Sequence, residues 1–143
     1  MLKIAHQKIS LAIGAGLLLL SAQAFSHGDV TPQGVDTREL KQLGEAWKVE
    51  NPYRGDAKAV TVGKSAYNQN CARCHGLEAK SGGIAPDLRT LPIDKETDDY
   101  YISSVRRGKV RNGAVYMPPF EGIMSQEGMW AIRSYVETLP ADK

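Results

Sequence analysis

The sequence has no real surplus of either charge: 18 Lys and Arg stand against 16 Asp and Glu. Two of the basic residues, Lys3 and Lys8, fall in an N-terminal leader, so the rest of the chain is formally neutral. A nucleic-acid binder needs a basic surplus over a whole face to neutralise phosphates, and that class is set aside. No internal repeat and no strand-like alternation is visible, which leaves helices as the expected elements. Beyond the leader, no apolar run is long enough to span a bilayer. Cysteine is scarce, at two, and histidine at three. What is there, 143 residues with 42% hydrophobic and 24% charged, fits one soluble domain rather than a multidomain assembly or a disordered tail.

The first stretch reads as a secretory signal. Lys3, His6 and Lys8 form a positive start, Ile9 to Leu20 is apolar, and Ala22-Gln23-Ala24 supplies small residues for cleavage after Ala24 or Ser26. The competing reading is an uncleaved anchor, but twelve apolar residues fall short of the roughly 20 that a spanning helix needs. The expected organisation is a signal peptide over 1–26, a domain over 59–143 and, between them, an N-terminal extension over 27–58 packed on that domain. An exported chain of this size builds one modest core and gains stability from a bound cofactor.

Cys71 and Cys74 are two residues apart and His75 follows at once. In an exported protein a cysteine pair first suggests a disulfide, but a plain disulfide leaves His75 without a role. A thioredoxin-like pair would follow a strand, and Val62 to Asn70 does not alternate as one. Zinc needs four ligands; with His6 gone only Cys71, Cys74, His75 and His27 remain, with no second paired motif. Cys71-Ala72-Arg73-Cys74-His75 is instead the c-type haem attachment signature. Two thiols add to the two porphyrin vinyl groups, and the adjacent imidazole reaches the iron from one face.

The sixth iron ligand separates electron carriers from gas-binding or peroxide-using proteins. Met117 sits in Tyr116-Met117-Pro118-Pro119, where two prolines remove backbone donors and fix φ, holding the thioether on a stiff extended loop. Met129 falls at helical spacing with Ile132, Val136 and Leu139 and reads as core. Met124 lies in a short connection before that helix. His27 is the main rival, near the new N-terminus and far away in sequence.

Three helices are expected. Ala59 to Asn70 runs into the attachment motif with Val62 or Gly63 and Tyr67 a turn apart. Thr97 caps a second helix, with Asp98 and Asp99 in its first turn, Tyr101, Ile102 and Val105 inward, Arg106 and Arg107 at its end and Gly108 as its stop. Ser125 caps a terminal helix from about Gln126 to Thr138, where Trp130, Ile132, Tyr135 and Val136 offer apolar surface. Ser81-Gly82-Gly83-Ile84-Ala85-Pro86-Asp87-Leu88 is too rich in glycine and proline for regular structure. It reads either as a surface turn or as a loop whose Pro86 carbonyl accepts the His75 Nδ1 proton. In the extension, Thr37 could cap a short helix carrying Leu40, Leu43 and Trp47, and Asn51-Pro52-Tyr53-Arg54-Gly55 is a turn.

These residues carry a family resemblance. Cys71 to His75, the Pro86-Asp87-Leu88 loop, the Met117-Pro118 loop and the three helices resemble a small monohaem class I cytochrome c. The longer runs resemble the PedF-type cytochromes c found with quinoprotein ethanol dehydrogenases. They are His27-Gly28-Asp29-Val30, Glu50 to Gly55, Ala66 to Cys71, Ser81 to Arg89, Arg111-Asn112-Gly113, Tyr116 to Gly122 and Trp130 to Tyr135. The resemblance implies an all-α fold of three to five helices wrapped around one covalent haem c, with an extended N-terminal segment. It implies that Cys71 and Cys74 hold the haem, that His75 and Met117 are axial ligands, and that Pro86 supports His75. It further implies a periplasmic monomer without a permanent membrane anchor, taking electrons from a dehydrogenase that carries pyrroloquinoline quinone (PQQ) and passing them to a downstream oxidase or cytochrome. One departure is Ala85, where many class I cytochromes have glycine before the proline.

The expected activity is therefore electron transfer without catalysis, one electron at a time, with two rounds per alcohol oxidised. A peroxidase-like enzyme or a gas or redox sensor remains the alternative if the iron has an open site. Arg106, Arg107, Lys109 and Arg111 form a basic cluster just after the acidic Asp94, Glu96, Asp98 and Asp99. This reads as a dipole-matched helix or as a patch that steers docking to an acidic dehydrogenase surface.

Overall fold

The computed structural model describes residues 31–142; the leader, its cleavage positions and His27 lie outside them. Among the described residues, four helices and one hairpin occur in the order α1 (Ala57–Asn70), α2 (Ala72–His75), α3 (Lys95–Arg107), β1 (Lys109–Arg111), β2 (Ala114–Met117) and α4 (Gln126–Val136). Single 3₁₀ turns at Leu77–Ala79 and Leu88–Thr90 punctuate the segment between α2 and α3. No helix among the described residues is long and apolar enough to cross a membrane.

Helix α1 begins two residues earlier than the apolar pattern indicates, because the Asp56 carboxylate accepts from the Lys58 and Ala59 amides at 2.8 and 3.1 Å. Its buried face, Ala59, Gly63, Ala66, Tyr67 and Asn70, recurs at three- and four-residue spacing. That face lies on α4, which is buried along its whole length. At the crossing, Gly63 is so close that a Cβ there would sit 1.9 Å from the Ala131 carbonyl oxygen. Above it the Tyr67 and Tyr135 rings meet at 5.6 Å between centroids. Trp130, Met129 and Ile132 complete the centre of the core.

Helix α3 also starts earlier than expected. Its cap is Asp94, whose Oδ1 accepts from the Thr97 amide at 2.7 Å, so Thr97 lies inside the first turn instead of capping it. A carboxylate three residues upstream outcompetes the threonine hydroxyl as the cap. Tyr101, Ile102 and Val105 are inward, and the helix stops at Gly108 as expected. Ser125 caps α4, accepting from the Gly128 amide.

Two expectations fail. The hairpin β1–β2 was not anticipated: Lys109 pairs with Met117, Val110 with Val115 and Arg111 with Ala114, with a register irregularity after Lys109. Its strands are almost wholly exposed, so they show no buried alternation. The signal present was Asn112-Gly113, whose φ of 51° and 77° make the two-residue turn that suits a hairpin twist. The second failure is the helix from Thr37. The chain makes one turn there, with the Leu40 amide on the Thr37 carbonyl at 3.0 Å, and then runs as an irregular strap. Side chains of α4 satisfy its backbone instead: Glu127 accepts from the Leu43 amide, while Gln126 accepts from the Lys48 amide and donates to the Gly44 and Ala46 carbonyls. Leu40 and Tyr53 join the core, with Val35, Leu43 and Trp47 packed at its margin.

Candidate functional site

A cavity of about 380 Å³ opens between α2, the loop over 84–91, α3 and the hairpin. Cys71, Cys74 and His75 line it from the α2 end, Ile84, Ala85, Pro86 and Leu88 from the loop, Tyr101 and Val105 from α3, and Met117 from β2. A second hollow of about 470 Å³ is a shallow groove beside Val49, Lys95, Glu96 and Asp99, with no thiol, imidazole or thioether in its lining.

The attachment motif is one tight helical turn. The Cys74 and His75 amides both donate to the Cys71 carbonyl, at 3.1 and 2.9 Å. Residues three and four apart share a helix face, so the turn presents Cys71, Cys74 and His75 together. The Tyr67 hydroxyl donates to the Gly76 carbonyl at 2.8 Å and pins the exit from this turn. Neither cysteine is joined in a disulfide. Burial, and then the neighbouring Cys74, push the Cys71 thiol up to about 12.

His75 Nδ1 lies 2.8 Å from the Pro86 carbonyl oxygen. A carbonyl only accepts, so Nδ1 is the donor and Nε2 is the ring nitrogen left to face a ligand. Such a bond fixes the tautomer and raises the basicity of the ring. Ala85, in place of the more usual glycine, is accommodated, since it is not among the residues forced to positive φ. Of the described methionines, Met117 lines the cavity, while Met124 and Met129 are buried elsewhere in the core. Met117 is the last residue of β2 and not part of a free loop; the hairpin and the two prolines after it both restrain it.

The basic cluster divides. Arg106 is occupied, paired with Glu121 at 2.7 Å and with its guanidinium stacked 3.9 Å over Trp47. Arg107 is exposed. Lys109 and Arg111 line the cavity beside Tyr100 and Tyr116, and the Lys109 ammonium lies 4.7 Å over the Tyr100 ring. The acidic cluster divides too: Asp94 is a helix cap, and Asp98 is fully buried.

Sequence reasoning missed the role of Asp98. Its carboxylate accepts from Arg133 Nε at 2.9 Å, from Arg54 at 2.6 Å and from the Asn51 amide at 2.9 Å. Glu137 pairs with both arginines, so two acids and two bases form a neutral set beneath the strap.

The donor set fits a covalently attached haem. Two thiols, an imidazole whose Nδ1 is bonded to the Pro86 carbonyl and one thioether line a single cavity that is otherwise mainly apolar and aromatic.

Known proteins agree. A family model described as cytochrome C oxidase, cbb3-type, subunit III matches residues 58–136. Cytochrome c550 of Pseudomonas aeruginosa is 59% identical over 130 residues, covering 88% of this chain and 90% of that one. A quinohemoprotein alcohol dehydrogenase of Pseudomonas putida, ADH-IIG, is 32% identical over 81 residues, which are 57% of this chain and only 11% of the dehydrogenase. Among solved structures, cytochrome CL of Methylophaga aminisulfidivorans shares the fold, with a TM-score of 0.52 at 19% identity over 71% of each chain. With the motif, the cavity and a relative matched along nearly its full length, the chain belongs to the cytochrome c family, an electron carrier of class I fold that binds haem c covalently and is not an enzyme.

Proposed function

We propose that this protein carries one haem c, bonded through Cys71 and Cys74 with its iron between His75 Nε2 and the Met117 thioether. In this reading it moves single electrons, in the periplasm, from a PQQ-dependent alcohol dehydrogenase to a downstream oxidase or cytochrome. The observation that carries the ligand set is the convergence of both thiols, the one described imidazole and a single thioether on one cavity. The haem supplies a one-electron iron couple whose potential Met/His ligation raises, which suits reduction by a quinone cofactor. His75 and Met117 would hold the iron from its two sides, which would exclude small ligands and keep rearrangement with each electron small. The leader sequence supports export. The similarity of this chain to a short part of quinohemoprotein alcohol dehydrogenases supports the electron source.

The test is ligand access to the reduced iron. The ascorbate-reduced wild type should show a low-spin spectrum indifferent to carbon monoxide, and Met117→Ala should bind the gas promptly. Gas binding by the wild type would mean an open iron and overturn the closed-site reading. For the partner, the oxidised protein should be reduced rapidly when mixed with a PQQ alcohol dehydrogenase and ethanol. Arg107→Glu with Lys109→Glu should slow that association and flatten its dependence on salt. A rate that is unchanged and salt-insensitive would remove the steering role.

A further inference from the structure

The loop that supplies the Pro86 carbonyl is held by an unusually complete set of bonds at the very next residues. Asp87 and Arg89 form a two-point fork, Nε to Oδ1 at 3.1 Å and Nη2 to Oδ2 at 2.8 Å. The other edge of the same guanidinium forks onto Asp142, at 3.1 and 3.0 Å, and also reaches the Pro140 carbonyl at 3.2 Å. Arg89 thus sits between two carboxylates with all three guanidinium nitrogens engaged, and its side chain is only 10% exposed. Asp142 also pairs with Lys80 at 3.0 Å, at the other end of the loop. Inside the loop, the Asp87 carboxylate caps the 3₁₀ turn Leu88–Thr90 and accepts from the Ser81 amide. The Ser81 hydroxyl donates to the Ala85 carbonyl. The chain after α4 and the loop over 80–90 are therefore joined at two points, the exposed Lys80–Asp142 pair and the mostly buried Arg89, which lies two residues beyond the Asp87 that succeeds Pro86.

We infer that Arg89, clamped between Asp87 and Asp142, is a positioning residue that fixes the Pro86 carbonyl on His75 Nδ1 and so sets the electron-donating strength of the His75 ring. The physical route is short. A strong Nδ1–H···O bond gives the imidazole more anionic character and makes Nε2 a better donor, which favours the ferric state. If the loop drifts, the bond lengthens, the ring becomes a poorer donor and the ferrous state gains. A planar guanidinium is needed for this geometry, since it alone offers two parallel N–H pairs to two carboxylates. Asp142 is the outer, solvent-exposed half of the clamp, so its contribution should be the smaller and should fade with salt.

This inference rests on His75 being an axial ligand, and the experiment separates the two. The holoproteins to compare are wild type, Arg89→Gln, Arg89→Lys and Asp142→Asn. The measurements are midpoint potential, the paramagnetic NMR shifts of the His75 ring, the exchange rate of its Nδ1 proton in the reduced protein, and thermal melting. Arg89→Gln should raise the potential, shift the ring signals and speed Nδ1 exchange several-fold. Arg89→Lys should rescue melting more than it rescues potential, and Asp142→Asn should give a smaller shift that vanishes at high salt. If the variants melt earlier while potential, ring shifts and exchange stay as in wild type, Arg89 is only a structural tie and the proposal is overturned. If the wild type itself shows no paramagnetically shifted histidine ring, the axial assignment has failed, and the clamp's role in tuning fails with it.

Discussion

Gly63 shows how narrow the tolerances are at single positions. A methyl group there would meet the Ala131 carbonyl carbon and oxygen at 2.4 and 1.9 Å, and neither is a flexible side-chain end that could swing away. Gly63→Ala must therefore push α1 off α4, with an overpacking cost of about 1–3 kcal/mol. Chemical denaturation of the holoprotein should show the midpoint falling with little change in slope. An unchanged midpoint would mean that the two helices do not meet this closely. At this scale the candidate site was legible: spacing alone singles out Cys71, Cys74 and His75, and two prolines after Met117 distinguish it from Met124 and Met129. Asp98 was not legible. Its position in the first turn of α3 is equally that of an exposed residue matched to the helix dipole, and only the fold shows Arg54 and Arg133 closing on it.

Between elements, the neutral set of Asp98, Glu137, Arg54 and Arg133 joins the strap, α3 and α4. Asn51 adds to it by bonding the Ser134 hydroxyl and the Glu137 carboxylate. Removing Asp98 leaves the buried Arg133 without its carboxylate, which typically costs about 3–5 kcal/mol, while the partly exposed Arg54 can turn to water. Asp98→Asn should thus be among the most destabilising single changes, and the visible spectrum of the still-folded fraction should stay normal because none of the four lines the cavity itself. Should Asp98→Asn melt within about a degree of wild type, the set contributes no stability. The three long helices were readable in advance because their apolar residues recur at helical spacing, and their errors lay at the ends: the starts of α1 and α3, and α4, which stops at Val136 and not near Thr138. Asp56 and Asp94 moved the starts of α1 and α3, since carboxylates take the first amides. The strap and the hairpin were not readable for a shared reason. One is shaped by distant partners, Gln126 and Glu127, and the other shows both faces to solvent, so neither leaves a burial period in the sequence.

For the whole molecule, these bonds set a pH window of stability bounded on both sides. Asp36 and Asp87 are held at about 2 by hydrogen bonds from Arg38 and Arg89, below their ordinary 3.8. Asp94, Glu121 and Asp142 are lowered by bonds from the Thr97 amide, Arg106 and Arg89. A carboxylate lowered on folding stabilises fully above its unfolded pKa, and that contribution is lost as pH falls toward the folded value. The melting temperature should therefore hold near neutrality and decline from about pH 4 downward. All of these carboxylates but the half-buried Asp87 are exposed and screened, so salt should blunt the acid limb. The alkaline side has the opposite sign. Burial raises Tyr53 to about 12 and pushes Tyr67 and Tyr101 further above the ordinary 10.0. Groups raised in this way favour folding below their unfolded pKa and cease to do so as pH climbs past it. Stability should consequently drop above about pH 10, with little response to salt because these rings are buried. Tyr67→Phe separates this cause from the titration of surface lysines. It leaves the Gly76 carbonyl without its donor and lowers stability at neutral pH by about 1–3 kcal/mol, yet it deletes one titrating group and should make the alkaline limb shallower. An alkaline limb as steep in Tyr67→Phe as in wild type would show that ionisation of this tyrosine does not drive the loss.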